Sequence, residues 1–315
     1  MSDRGHEVIL YASDLNETPA ELVTCITTEQ QDYFLGEFDW YKEGAIYKMP
    51  YDRKLPIWRI FNDNAIKEIK KRARPGDFVL YLTGNTQQDI QKALPELKHV
   101  EYGIGYPGIW NTPYKVFESY AWMHYLYGRY TIPDYERQNY AVIPNYFEID
   151  DFPFSEEKED YLLFMARPIP AKGLASVMIL AREENIKIKV AGAVPVEGEN
   201  IEWVGYADEK VRGELMKKAR ALLSPTLYVE PFGGVAVEAQ ICGTPVIASR
   251  WGAFTENVED GKTGFLTSDY SEIKEAVKKI DTLDKKYIRD RAIRLYSTES
   301  VAKQYEDYFK RISVV

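Results

Sequence analysis

The stretch Glu230–Glu238, EPFGGVAVE, puts two carboxylates and a glycine pair within nine residues. Phe232, Gly233 and Gly234 fall where an apolar strand gives way to a helix that Val235 enters. A glycine-rich strand-to-helix turn leaves backbone N–H groups at the positive end of the helix dipole, which suits a phosphate or a sugar hydroxyl. The two glutamates stand eight positions apart, about 12 Å along a helix axis. The carboxylates of a retaining glycosidase stand only about 5 Å apart. The spacing therefore fits two grips on separate hydroxyl-bearing parts of one ligand better than it fits hydrolysis. A capped helix with one surface glutamate accounts for the same letters equally well.

The surrounding residues narrow the choice. The run from Glu230 to Leu266 resembles the donor-site signature of the family-4 glycosyltransferases, a large retaining group with the GT-B fold. The matching positions are Glu230, Phe232, Gly233, Glu238, Ala239, Gly243, Pro245, Val246, Ile247, Ala248, Gly252, Glu256, Gly261, Gly264 and Leu266, with Ala253 in place of a second glycine. Upstream, Arg167 and Lys172-Gly173 in ARPIPAKG are similar to the family's Arg…Lys-Gly segment. Ile143-Pro144-Asn145, followed by Asp150 and Phe152, is similar to its linker signature, with Tyr146 where glycine is usual. The resemblance covers roughly Val142 to Tyr308.

The resemblance implies an α/β protein of GT-B type: two Rossmann-like, doubly wound domains facing across a cleft. The co-substrate is a nucleotide-diphosphate sugar carrying uridine, guanosine or adenosine, and no further cofactor is required. Arg167 and Lys172 would clamp the diphosphate, assisted by the turn at Phe232, Gly233, Gly234 and Val235. Charge builds on that leaving group as the glycosidic bond breaks, and fixed cations and amides stabilise it. Glu238 would hold the nucleoside ribose and Glu230 the transferred sugar. No Asp-x-Asp occurs in the chain, so a carboxylate-held divalent metal has no evident ligands and none is expected. The acceptor would be a glycan, a lipid-linked group or a small molecule. The alternatives are another GT-B enzyme, an epimerase or hydrolase, and a non-catalytic nucleotide-sugar or glycan-binding module.

These residues need a scaffold, and 315 residues suffice for two domains. An acidic, aperiodic stretch at Ile149–Asp160 reads as the linker. It divides an N-terminal domain, 1–150, from a donor domain, 151–298, with a last helix in 299–315 that crosses back. Acidic residues outnumber basic ones in both parts, 22 to 16 through Asp150 and 27 to 24 beyond it, so bulk charge gives no nucleic-acid footprint. Two cysteines far apart give no disulfide framework, and no apolar run reaches the length of a membrane span. The expectation is a cytoplasmic protein. Any peripheral membrane contact would fall to the cations of Lys67–Arg74, which equally suit a solvated last turn.

In the first half, Glu7–Ala12, Phe78–Leu82 and His99–Gly103 read as strands, and Asp63–Arg74, Gln87–Leu94 and Val116–Tyr127 as helices. In the second half, strands and helices alternate from Tyr161 to Ile312, the pattern of parallel βαβ units. The family phrase Arg4-Gly5-His6-Glu7-Val8 stands at the start of the chain instead of at a second strand. Either a βα unit is absent or Glu7–Ala12 serves as the first strand. Acceptor-side candidates are Asp14–Thr18, Thr83–Thr86 and Gly103–Trp110, the last with Gly103, Gly105 and Tyr106. GIGYPG in that stretch formally matches a dinucleotide fingerprint, but it opens no helix and reads as a tight turn. His124 is the one histidine placed to reach a cleft, although Trp122 and Met123 beside it suit a core position better.

Overall fold

The computed structural model describes residues 1–36, 52–82, 84–107, 112–130, 139–167 and 169–314. The chain divides into two compact units, one of Met1–Val116, Pro133–Ala141 and Tyr308–Val315, the other of Phe117–Ile132 and Val142–Asp307.

In the first unit β1 (Ile9–Ser13) pairs in parallel with β2 (Glu21–Ile26). A second sheet takes the order β3 (Phe78–Tyr81), β4 (Lys98–Ile104), β5 (Tyr114–Phe117) and β6 (Tyr140–Val142), with β3 and β4 parallel. Glu7–Ala12 is thus the approximate first strand of the described chain. The helix expected at Asp63–Arg74 instead runs Pro56–Ile69. Pro56 supplies a preset φ at the first helical position, and Asp63 sits on the exposed face in mid-helix. Ile57, Trp58, Phe61, Ala65 and Ile69 of this helix pack on Cys25 and Ile26 of β2 and on Tyr81. Most of the expected cationic last turn lies beyond the helix, where Arg72 pairs with Glu21 at 2.7 Å; Lys71 pairs with Glu68 at 2.6 Å.

The segment read as one helix from Val116 divides in two. Val116 and Phe117 end β5, and the helix spans Tyr120–Tyr130. Ser119 separates them, its hydroxyl accepting from the Trp122 amide at 3.1 Å, which is an N-cap interaction. The C-terminal helix Thr298–Ser313 contributes residues 298–307 to the second unit and its end to the first. Within the first unit Tyr308 donates to the Asn139 carbonyl at 2.7 Å, and Lys98 to the Ile312 carbonyl at 2.6 Å.

The second unit is organised by one six-stranded parallel sheet. Its strands are β7 (Leu162–Met165), β8 (Ile188–Ala191), β9 (Ile201–Gly205), β10 (Ala221–Ser224), β11 (Val246–Ser249) and β12 (Gly264–Thr267). Their order is β12-β11-β10-β7-β8-β9. β7, with all four residues buried, has apolar clusters on both faces of the sheet, as parallel strands flanked by helices require. Along the chain this is a 3-2-1-4-5-6 arrangement, so the winding reverses between β7 and β10. Helix Tyr270–Lys279 shows how the faces are covered: Ile273, Ala276 and Val277 are buried, and Asp269 caps its start from the Glu272 amide at 3.0 Å. Among the described residues no helix is long and apolar enough to cross a membrane.

Candidate active site

In open α/β sheets the crevice beyond the carboxyl ends of the strands, where the winding reverses, is where ligands bind. Here that crevice lies past Met165 and Ser224. A cavity of about 60 Å³ occupies it, lined by both strand ends and by Lys172, Thr226, Glu230, Gly233, Gly234 and Val235. Lys172 closes a short 3-10 turn after β7, and Glu230 lies in the loop after β10.

These two loops meet in a three-membered cluster. Lys172 Nζ stands 2.9 Å from Glu230 Oε2, and the Tyr228 hydroxyl donates to the same oxygen at 2.6 Å. The ammonium also lies 4.9 Å from the centre of the Tyr228 ring. Burial, reinforced by the bond to Glu230, pushes the Tyr228 hydroxyl well above the usual phenol range, so it remains a donor at any working pH. Arg167 is exposed on the loop after β7, and its charge acts on Tyr228 in the opposite sense.

Two motif glycines let the loops approach. Gly173 has φ +80°, and a Cβ there would stand 2.0 Å from the Pro225 carbonyl oxygen. Gly252 has φ +65°, and a Cβ there would stand 2.6 Å from the Glu230 nitrogen. Both contacts are with backbone, which cannot swing aside. The Ala253 amide then donates to the Glu230 carbonyl at 2.9 Å, fixing the residue that carries the carboxylate.

Helix Gly234–Ile241 starts at the cavity without a side-chain cap. Its first amides, at residues that line the cavity, supply the positive end of a dipole beside Lys172. Glu238, 7% exposed on the same helix, is not among the cavity-lining residues. Its Oε1 lies 3.3 Å from an Arg212 nitrogen on helix Glu209–Lys218. Phe232 is also away from the cavity. Its ring stacks on Phe147 at 6.3 Å and meets Tyr296 edge-on at 5.9 Å, and its carbonyl accepts from Asn257.

Glu256 serves the scaffold. Its two carboxylate oxygens accept the Tyr120 and Ala121 amides at 3.0 and 2.8 Å, capping helix Tyr120–Tyr130. His124 on that helix is exposed, with the Tyr120 and Tyr127 rings each 6.3 Å away. This corrects the expectation of a core histidine: Trp122, Leu126 and Tyr127 take the buried face. Gly103, Gly105 and Tyr106 belong to the first unit. β4 runs to Ile104, the Gly105 amide turns back to the Gly103 carbonyl at 2.9 Å, and Tyr106 donates to the buried Glu101 at 2.7 Å. Of the other acceptor-side candidates, Thr83 and residues 108–110 lie outside the described residues. Among the described residues no group of three or more His, Cys, Asp or Glu could hold a metal ion.

Residues 146–299 match the family model of the glycosyl transferases group 1. By that match the stretch is similar to a group 1 glycosyl transferase domain. The phosphatidyl-myo-inositol mannosyltransferase of Mycobacterium leprae is 25% identical over 232 residues, 61% of this chain and 61% of that protein. The chain therefore spans less than two thirds of that relative. Among solved structures, AviGT4, a glycosyltransferase involved in avilamycin A biosynthesis, superposes with a TM-score of 0.64 at 20% identity, covering 80% of this chain and 79% of that one. Anabaena Alr3699/HepE in complex with UDP gives 0.64 at 16% identity, covering 93% of this chain and 86% of that one. With its Rossmann-like parallel-sheet units, the chain has the GT-B glycosyltransferase fold.

The matched stretch thus carries Lys172, Glu230, Gly233, Gly234 and Val235 at one cavity, with Arg167 on the adjoining loop. Phe232 and Glu238 are not among the residues that line that cavity. Tyr228 and Arg212 were not legible as site residues. Tyr228, two positions before Glu230, could have been found as a hydroxyl next to the motif. Arg212 reaches Glu238 only through helix packing.

Proposed function

We propose that the protein is a retaining, metal-independent glycosyltransferase that moves a sugar from a nucleoside diphosphate to an acceptor hydroxyl. The observation that carries this reading is the Lys172–Glu230–Tyr228 cluster at the switch-point cavity, beside an uncapped helix start. It joins a cation and amides suited to a diphosphate with a carboxylate suited to sugar hydroxyls. The mannosyltransferase relative and the UDP-bound structure of like fold point the same way.

In this reading the diphosphate lies between Lys172, Arg167 and the amides at Gly234 and Val235. The sugar lies against Glu230. The bond between the anomeric carbon and the phosphate oxygen breaks as the acceptor oxygen bonds to that carbon on the same face. The acceptor proton passes to a phosphate oxygen, and the nucleoside diphosphate leaves. The protein supplies orientation and charge stabilisation, so no side-chain base is needed.

The first test is thermal stabilisation by UDP, GDP and ADP with EDTA present, on wild type and Lys172→Ala. A ligand at a hundredfold excess over its Kd adds about 2.7 kcal/mol. Stabilisation by one nucleotide that is lost in the variant names the base and supports a metal-free clamp. No stabilisation by any of the three overturns the reading in favour of a module that binds no nucleotide.

A further inference from the structure

The loop after β10 carries Tyr228 and Glu230 two positions apart. Its backbone is held on both sides of the tyrosine. The Leu227 amide donates to the Ala171 carbonyl at 2.9 Å, and the Tyr228 carbonyl accepts from Trp251 Nε1 at 3.2 Å. The Glu230 carbonyl takes the Ala253 amide. None of these bonds uses the Tyr228 hydroxyl. Its one hydrogen bond among the described residues goes to Glu230 Oε2, at 2.6 Å. A phenylalanine would leave the backbone bonds in place, so the shape of the loop does not account for the hydroxyl.

The two oxygens of Glu230 stand in different situations. Oε2 accepts twice, from Tyr228 and from Lys172. Among the described residues nothing donates to Oε1, and that oxygen is not a buried orphan either. It is the open acceptor of a residue that lines the cavity. A carboxylate held twice through one oxygen keeps its orientation and offers the other to a ligand hydroxyl.

The two donors to Oε2 respond differently to an anionic ligand. A diphosphate draws Lys172 toward itself. Glu230 then faces a second anion with less compensation, in a partly buried site where charges act more strongly than in water. The Tyr228 hydroxyl is neutral and rides on a ring with only two side-chain torsions, so it stays with the carboxylate.

We propose that Tyr228 is a positioning residue, which keeps Glu230 Oε1 turned to the ligand once a donor diphosphate has engaged Lys172. The inference rests on the glycosyltransferase reading above. Tyr228 is not among the residues that line the cavity, so it acts on the sugar only through Glu230. Affinity for the bare nucleotide then depends on Lys172 and not on the Tyr228 hydroxyl, whereas the contribution of the sugar depends on that hydroxyl.

The test measures the affinity of wild type, Tyr228→Phe, Glu230→Ala and the double variant for UDP, GDP, UDP-glucose and GDP-mannose. The readout is the ratio of sugar-nucleotide to nucleotide affinity, for the pair that wild type binds best. Tyr228→Phe keeps the ring that Lys172 faces at 4.9 Å. It should bind the bare nucleotide within about twofold of wild type, while the ratio falls about tenfold, the size of one lost hydrogen bond to a charged group. In the Glu230→Ala background the same change should move the ratio by less than about twofold, because residues that act as one unit are not additive. A merely structural tyrosine would not give this pattern: a loosened fold loses affinity in both backgrounds, so the cycle decides even if Tyr228→Phe melts lower. An unchanged ratio in Tyr228→Phe overturns the proposal. So does a second fall of similar size in the Glu230→Ala background, or a loss of bare-nucleotide affinity as large as the loss with sugar attached. A wild type that binds neither nucleotide overturns the donor-site reading itself, and that result is seen before any variant is compared.

Discussion

One polar network from each unit makes a contrast. In the first, His99 is 3% exposed between two partners: Nε2 lies 2.7 Å from the Leu94 carbonyl and Nδ1 2.6 Å from the Tyr81 hydroxyl. A carbonyl can only accept, so Nε2 carries the proton and Tyr81 donates to Nδ1. Both ring nitrogens are used, and the group is closed. In the second unit Lys172, Tyr228 and Glu230 meet at the rim of a cavity, with both charged partners partly exposed. Their ion pair is accessible to a ligand that can offer the lysine a phosphate and the carboxylate a hydroxyl. The contrast separates a network that specifies a fold from one held ready for exchange. Residue type does not distinguish them, since each contains a tyrosine and a titratable partner.

The largest effect expected from breaking the open network is on turnover. Lys172→Ala should lower kcat on the order of 10²–10³, the cost of one preorganised charge-stabilising donor. Its far-UV spectrum should be unchanged, because the lysine lies at a rim. Turnover within a factor of a few of wild type would place the diphosphate elsewhere. Gly252→Ala should act on the fold as well, because the added Cβ meets Glu230 backbone at a positive φ. A loss of about 2 kcal/mol is expected for such overpacking, or roughly 5 °C in Tm, together with weaker nucleotide binding. A variant as stable as wild type would mean that the Glu230 loop yields, and the rigidity ascribed to it would go. Tyr228→Phe should be milder, lowering activity about tenfold with little change in Tm. Its readout is the ratio of those two effects.

How far such roles can be read from letters depends on whether the partners are local in sequence. β7, β10 and β11 are short, largely apolar runs, and the motif around Glu230 holds its glycines and carboxylate within nine residues. Fold class and the grouping of the candidate residues around Glu230 were therefore legible. β9, IEWVG, and β12, GFLT, are too mixed in composition to stand out, and sheet pairing defines them. In the first unit β1 and β2 pair in parallel across only residues 14–20, too few for the crossover helix that normally announces such a pair. Asp63 resembles an N-cap, yet tertiary burial of Ile57, Trp58 and Phe61 carries the helix back to Pro56. Arg212 meets Glu238 through space, 26 positions along the chain, at a place only the fold supplies.

The smallest effects belong to the closed network, and they appear in stability alone. Tyr81→Phe leaves the His99 Nδ1 acceptor buried without its donor, which should cost about 1–3 kcal/mol while nucleotide binding stays as in wild type. Burial holds the His99 imidazole below its usual range of about 6.5. The unfolded chain therefore takes up a proton below that pH before the folded chain does. Stability conferred by the neutral ring is present above about pH 6.5 and declines as pH falls toward the lower folded value, where it levels off. His99→Gln should flatten that decline in a series of melts between pH 7 and 5 and leave the pH profile of turnover unmoved. If the turnover profile shifted with the melts, His99 would be coupled to the transfer site, and the division between closed and open networks would fail at this residue.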